Sequence, residues 1–210
     1  MDESVLTMIR SISNEYLGLS HHDRSHVERV YNLAVRIARE ENADLDVVKA
    51  ASLLHDVART MEDKGIIEDH AVEGAKMACR ILERVSFPES KIAAVAACIE
   101  AHRFRNGFRP KTLEAMILQD ADRLDVIGAV GIARLFSRSG WENTPIHDPM
   151  IQPKEKYDGE SLTSVNHIYE KVLKIKDTLN TDSAKKIAEE RHKFVESFLN
   201  RLLKEWDGEL

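Results

Sequence analysis

The sequence is short of several things, and each shortage excludes something. Only two cysteines occur, Cys79 and Cys98. Each lies among apolar neighbours, in KMACRIL and VAACIEA, which reads as two buried free thiols in a reducing compartment rather than a disulfide framework. A basic surplus is missing too: 30 Lys and Arg stand against 36 Asp and Glu, for a net charge of −6. Without cations to neutralise a line of phosphates, no nucleic-acid partner is expected. No stretch approaches the roughly 20 apolar residues of a membrane helix, so no membrane partner is expected. The opening MDESVLTMIRSISNEY is charged within three positions and has no apolar core, so a signal peptide is not expected and the cytoplasm is the expected location. Strand signals are nearly absent, and the one Asn106-Gly107 pair sits in an irregular basic stretch instead of between alternating apolar runs. There is no internal repeat.

What is present is helical periodicity. Its 210 residues suit one domain, 1–210. A short leading helix is predicted over 3–17. The next runs from His26 to about Glu41, with Val27, Val30, Ala34, Ile37 and Ala38 on one face. Asp44 is a natural N-cap for a helix reaching Arg59. Another starts near His70, and Pro88 opens one that ends near His102. Thr112 caps a long helix continuing past Phe136, and 161–179 and 181–206 read as two more. The expected fold is therefore all-α, a bundle of about seven or eight helices. Residues 140–160 break the pattern with Trp141, Pro145, Pro149, Pro153 and Gly159. They read equally as an ordered surface excursion, with a homodimer contact as one use, or as a lid. They divide a helical core over about 20–139 from a C-terminal helical pair over 161–210.

Three features carry chemistry. His26 sits in the apolar stripe of its helix, with Val30, Leu33 and Ile37 at +4, +7 and +11. A buried imidazole must be hydrogen-bonded or bind something, and alone the first reading wins. The second feature is Ala-Ser-Leu-Leu-His55-Asp56, an adjacent imidazole and carboxylate at the end of an apolar helix. Two neighbouring ligands reach one ion when the helix end points at it, and this pair suits Mn, Fe, Co, Ni or Zn. The third is LQDADRLD, which puts Asp120, Asp122 and Asp125 in an apolar helix where they need a cation or a basic partner. Asp122 aligns with Ala115, Leu118, Val126 and Ala129, and Asp120 with Leu113, Ile117, Leu124 and Ile127. Periodicity does not choose between the two.

His26, His55-Asp56 and Asp122, in that order and each on a predicted helix, resemble the H…HD…D signature of the HD superfamily of metal-dependent phosphohydrolases. EAHRFR, LQDADRLDVIGAVGIAR and NHIYEKVLKI are similar to a small bacterial branch of HD hydrolases, some of them similar to nucleotide pyrophosphohydrolases. This likeness runs from about residue 20 to the C-terminus. The resemblance implies an HD-type helical bundle and a divalent metal ion (Mn, Fe, Co, Ni, Zn or Mg) held by His26, His55, Asp56 and Asp122. It also implies a phosphorylated small-molecule substrate, expected to be a nucleoside or deoxynucleoside triphosphate. An acid just before Arg/Lys-Leu in the family pattern selects Asp122, leaving Asp120 and Asp125 to orient ligands or arginines. Asp-His70-Ala-Val-Glu-Gly74 and His102 resemble the extra histidines of branches with two metals. Two readings stay open: a second ion on His70 and His102 with Asp56 bridging, or one ion with His70 and His102 moving protons or binding phosphate.

One position departs from the family. HD nucleoside monophosphatases keep an acid three residues after the HD aspartate, and here that place is Arg59. Arginine is a poor proton carrier and a good phosphate clamp, which favours a longer phosphate chain. Arg59, His102 and His70 are the expected catalytic residues, with Arg59, Arg123 and Lys171 expected on substrate. Arg103, Arg105, Arg109 and Arg123 could add positive charge there, and those of them that are exposed read first as a solvated face. His21, His22, His147 and His192 read as loop or surface residues, and His167 as packing four residues from Lys171. The competing readings are a non-catalytic nucleotide-binding or sensor module and a phosphomonoesterase or phosphodiesterase. An amidohydrolase is disfavoured, because that class is built on barrel strands.

Overall fold

A computed structural model describes residues 2–17, 24–103 and 109–210. His21, His22, Arg105 and Asn106-Gly107 lie outside the described residues. The fold is all-α, and no strand occurs among the described residues. The chain gathers into two compact units, 1–122 and 123–210.

The first unit is built around one buried helix. Its helices are α1 (Glu3–Tyr16), α2 (Arg24–Glu40), α3 (Leu45–Leu54), α4 (Arg59–Asp63), α5 (His70–Arg84) and α6 (Glu89–Ala101). The start of α7 (Leu113–Leu124) completes it. Helix α3 is apolar nearly all round, and α1, α2 and α6 pack against it. Such a helix has no solvent face to lose, so its position is set by core packing. Its start is fixed by Asp44, whose carboxylate accepts from the backbone N–H groups of Asp46 and Val47. Its last carbonyls are buried, and Ser13 Oγ donates to Leu53 O at 2.5 Å. Asp69 caps α5 in the same way, and Thr112 Oγ1 accepts from Ala115 N. Helix α6 packs on α5 and α3. Cys79 and Cys98 are both free thiols.

The second unit holds α8 (Ala129–Trp141), α9 (Ser164–Glu170), a 3-10 helix (Val172–Thr178) and α10 (Asp182–Trp206). Three expected helices are broken, the first of them in the first unit, where the helix predicted from Asp44 to Arg59 ends at Leu54 and α4 begins at Arg59. The predicted helix from Thr112 past Phe136 ends at Leu124 and restarts at Ala129. Gly128 stands between them at φ +91, and a Cβ on Gly131 would meet the Val126 carbonyl oxygen at 2.1 Å. Only glycine permits both the turn and the close approach. The predicted helix over 161–179 is α9 followed by 3-10 turns, with Lys171 leaving helical geometry at φ −129. Residues 143–163 are irregular but tied to α9: Ser164 N donates to Pro145 O, Val165 N to Ile146 O and Lys154 N to the Glu170 carboxylate. No helix among the described residues is long and apolar enough to cross a membrane.

Candidate metal centre

Five helix ends bring six side chains together in the first unit. His26 lies in the first turn of α2, and His55 is the C-cap of α3, followed directly by Asp56. His70 is the first residue of α5, His102 the C-cap of α6, and Asp122 lies near the end of α7. All are buried except Asp122, whose side chain is 27% exposed. The C-terminal ends of α3 and α6 add partial negative charge from their free carbonyls, worth about 0.3–1 kcal/mol each toward a cation.

The geometry falls into two lobes that share Asp56. On one side Asp56 Oδ2 lies 3.6 Å from Nε2 of both His26 and His55. Asp122 Oδ1 stands 3.4 Å from His26 Nε2. On the other side Asp56 Oδ1 lies 3.3 Å from His70 Nε2 and 3.9 Å from His102 Nε2. His26–His55–Asp56 and Asp56–His70–His102 each have ligand atoms close enough to share one ion.

The donor set fits a divalent metal. His55 Nδ1–H donates to Ser52 O at 2.8 Å, His102 Nδ1–H to Ile99 O at 2.5 Å, and His70 Nδ1–H to Glu62 Oε2 at 2.7 Å. Each ring therefore turns an Nε2 lone pair inward. The facing Nε2 atoms of His70 and His102 are 3.3 Å apart, and in the neutral rings both present lone pairs there. Two such lone pairs repel unless a cation separates them. A proton is a poor candidate, because burial, with His55 nearby as the next cause, pushes His102 down to about 4. A metal ion, with imidazole and carboxylate ligands, meets the need. Burial pushes the Asp122 carboxyl up, but the His26, His55 and His102 rings outweigh it and leave it below the usual range.

A third acidic trio, Glu62, Asp69 and His70, also has metal-like spacing. It already has its cation: Arg103 donates to both Glu62 oxygens at 3.0 and 2.8 Å and lies 3.3 Å from Asp69. Arg103 is therefore not part of a solvated face but 15% exposed and paired. Neither Glu62 nor Asp69 was singled out in the sequence, because the 64–68 turn that folds Glu62 back onto His70 has no periodic signal. Arg109 is exposed.

Other expected residues stand as follows. Arg59 opens α4, its backbone N–H donates to Asp56 O at 2.9 Å, and its Nε donates to Asp63 at 2.9 Å. Asp120 is fully buried, and among the described residues it joins neither lobe. Asp125 pairs with Arg134 within the second unit. There Arg123 donates to Thr178 O, and Lys171 Nζ lies 5.2 Å from the Tyr157 ring centre. His167 packs its ring against Tyr157 and is pushed down to about 4 by burial, then by Lys171 and Arg138.

Similarity to known proteins follows the same chemistry. The HD domain family model matches residues 24–127. The protein YpgQ of Bacillus subtilis is 32% identical over 98% of this chain and 94% of its own length. A Lactobacillus plantarum structure matches with a TM-score of 0.79 at 33% identity, covering 99% of both chains. An HD-superfamily hydrolase from Bacillus thuringiensis matches at 0.76 and 34% identity, over 98% of this chain and 96% of that one. The structure of Bacillus subtilis YpgQ in complex with ADP matches at 0.77 and 31% identity, over 95% of this chain and 97% of that one.

Proposed function

The chain belongs to the HD domain family, and from that premise we propose that it is a metal-dependent phosphohydrolase acting on nucleoside or deoxynucleoside triphosphates. The observation that carries the reading is the pair of lobes around Asp56, four imidazoles and two carboxylates converging on one buried centre. His26, His55, Asp56 and Asp122 would hold one divalent ion, and Asp56, His70 and His102 a second. Such an ion supplies Lewis acidity that brings the pKa of water toward neutrality and polarises a phosphoryl oxygen.

The chain's own residues do the rest. Asp56 offers one oxygen to each lobe and so sets the spacing between them. His55 and His102 are held in a single tautomer by peptide carbonyls, so they cost no reorganisation when ligands are engaged. Both His70 and His102 point Nε2 at Asp56, which favours a ligand role over the proton-carrier role weighed from sequence. Arg59 is anchored through its Nε by Asp63, which leaves its two outer amino groups to clamp phosphate oxygens. Its backbone N–H donates to Asp56 O, one turn back, which supports a role for its side chain near the Asp56 centre. A fixed charge there suits a substrate whose phosphate chain extends beyond the attacked phosphorus. The ADP complex of YpgQ supports a nucleotide as the substrate class.

The test is a screen of matched nucleoside mono-, di- and triphosphates with Mn, Fe, Co, Ni, Zn and Mg, with products identified by mass. Release of pyrophosphate or phosphate from triphosphates is the expected result, with Arg59→Ala lowering that turnover. A clear preference for monophosphates overturns the substrate reading. Tight nucleotide binding without turnover under every metal makes the chain a sensor instead.

A further inference from the structure

The imidazoles of the two lobes are supported unequally from behind. His55 and His102 give their Nδ1 protons to neutral peptide carbonyls. His70 gives its proton to a carboxylate: Glu62 Oε2 accepts from His70 Nδ1 and from His70 N, both at 2.7 Å. Glu62 is itself gripped by Arg103 through two hydrogen bonds of 3.0 and 2.8 Å. The same guanidinium reaches Asp69, the N-cap of α5. Arg103 directly follows His102. One ion pair therefore joins α4, which supplies Glu62, to the start of α5 at His70 and the end of α6 at His102. Glu62 and Arg103 are 17% and 15% exposed, so this is a sheltered bidentate pair rather than a loose surface contact.

We propose that Glu62 and Arg103 form a positioning pair that sets the affinity of the Asp56–His70–His102 lobe for its divalent ion, and so decides whether the centre holds one ion or two. This deepens the proposed function and rests on its assignment of the two lobes. A carboxylate behind an imidazole fixes the ring and sends electron density to the opposite nitrogen, which strengthens it as a ligand. Arg103 has a second task. Glu62, Asp69 and His70 are spaced to hold a metal themselves. The guanidinium fills that position, so an arriving ion is left to the Asp56 side of His70.

The test is titration of the full chain with Mn2+ or Co2+ alone, followed by calorimetry, metal analysis and the visible Co2+ spectrum. Wild type should take up two equivalents, and His70→Ala should remove the second, which marks that step. Glu62→Gln keeps the size and an oxygen acceptor but loses the charge. It should weaken the second equivalent by about 10–100-fold and leave the first unchanged. A merely structural defect would weaken both. If Glu62→Gln does not fold, Arg103→Lys replaces it, keeping the charge but not the two-point grip, with the same split expected. An unchanged second equivalent, equal weakening of both, or a wild type that binds a single ion overturns the proposal. Activity is a separate readout. A chain that separates the two ions in this way but cleaves no nucleotide refutes the proposed substrate and leaves the positioning pair standing. A nucleotide hydrolase with one ion does the reverse.

Discussion

The histidines of the two units stand in opposite circumstances, and burial alone does not separate them: the four of the metal centre are buried, but so is His192 in the second unit, beside the half-buried His147 and His167. In the first unit four rings meet at Asp56, and three of them have Nδ1 pinned to an oxygen. In the second unit each histidine has a different neighbour and shares no common focus with the others. His192 is buried with its Nδ1 unpartnered and its Nε2 3.3 Å from Glu196. His147, also with an unpartnered Nδ1, packs against Trp206, and His167 packs against Tyr157. A buried imidazole is thus not a ligand by virtue of burial. It becomes one when its outer nitrogen is held and its inner nitrogen shares a focus with other donors.

The largest test of that contrast is to remove the focus. Asp56→Ala takes an oxygen from both lobes, and His55→Ala takes a ring from one. Each should lower phosphohydrolase turnover by more than about a thousandfold, the scale at which groups acting as a unit fail together. Circular dichroism should remain helical. Turnover that survives Asp56→Ala would place the chemistry elsewhere.

Metal linkage comes next. A divalent ion that binds only the folded chain should stabilise it by about 2.7 kcal/mol at a hundredfold excess over Kd. Chelation should reverse the rise in Tm, and Asp122→Ala should diminish it while Asp120→Ala leaves a metal response. A response lost in Asp120→Ala and kept in Asp122→Ala would exchange the roles of the two acids.

The second unit supplies the control. His192→Leu removes a buried Nδ1 that has no partner, along with an Nε2 that faces the exposed Glu196, so stability should change by less than about 1 kcal/mol and metal uptake not at all. A loss of bound metal in this variant would erase the distinction between the two sets of histidines.

The smallest effect concerns the support of the central helix. Asp44→Ala should cost about 1 kcal/mol through the lost N-cap of α3. Burial opposes ionisation of Asp44, but the Lys91 ammonium and the capped N–H groups prevail and hold its carboxyl below the usual range. Its contribution is therefore present above the unfolded value of 3.8 and lost as pH falls through the lower folded one. Denaturant midpoints of wild type and Asp44→Ala should converge in acid. A gap that persists there would show that the cap acts through something other than its charge.

Much of the helical layout was legible because it is local. Asp44 and Thr112 are caps recognisable from their own side chains, and the apolar stripe of α2 is visible in its spacing. The break after Leu124 was missed because periodicity weighs apolar faces and ignores what Gly128 and Gly131 permit. The order His26, His55-Asp56, Asp122 was legible as a family pattern. Asp122 was preferred over Asp120 by that pattern alone, since both lie on apolar faces of one helix. The Glu62–Arg103–Asp69 arrangement was not legible, because its members belong to three elements and none repeats at a helical interval.

By itself the sequence determined an all-α chain with two cysteines and no excess of basic residues, and it supplied the donors of the centre. Those properties depend on composition and on contacts within a few residues. Only the tertiary structure decided which atoms face each other: Asp56 with one oxygen toward each lobe, His70 backed by a carboxylate, and Arg103 drawn in from the expected surface. The reason is geometric. The tautomers of His55 and His102 are set locally, by carbonyls three residues back, and that of His70 by Glu62 eight residues back. The facing of one ring toward another and the pairing of Glu62 with Arg103 join positions 29 to 41 apart, brought close only when α3 is buried and α2, α5 and α6 close around its end.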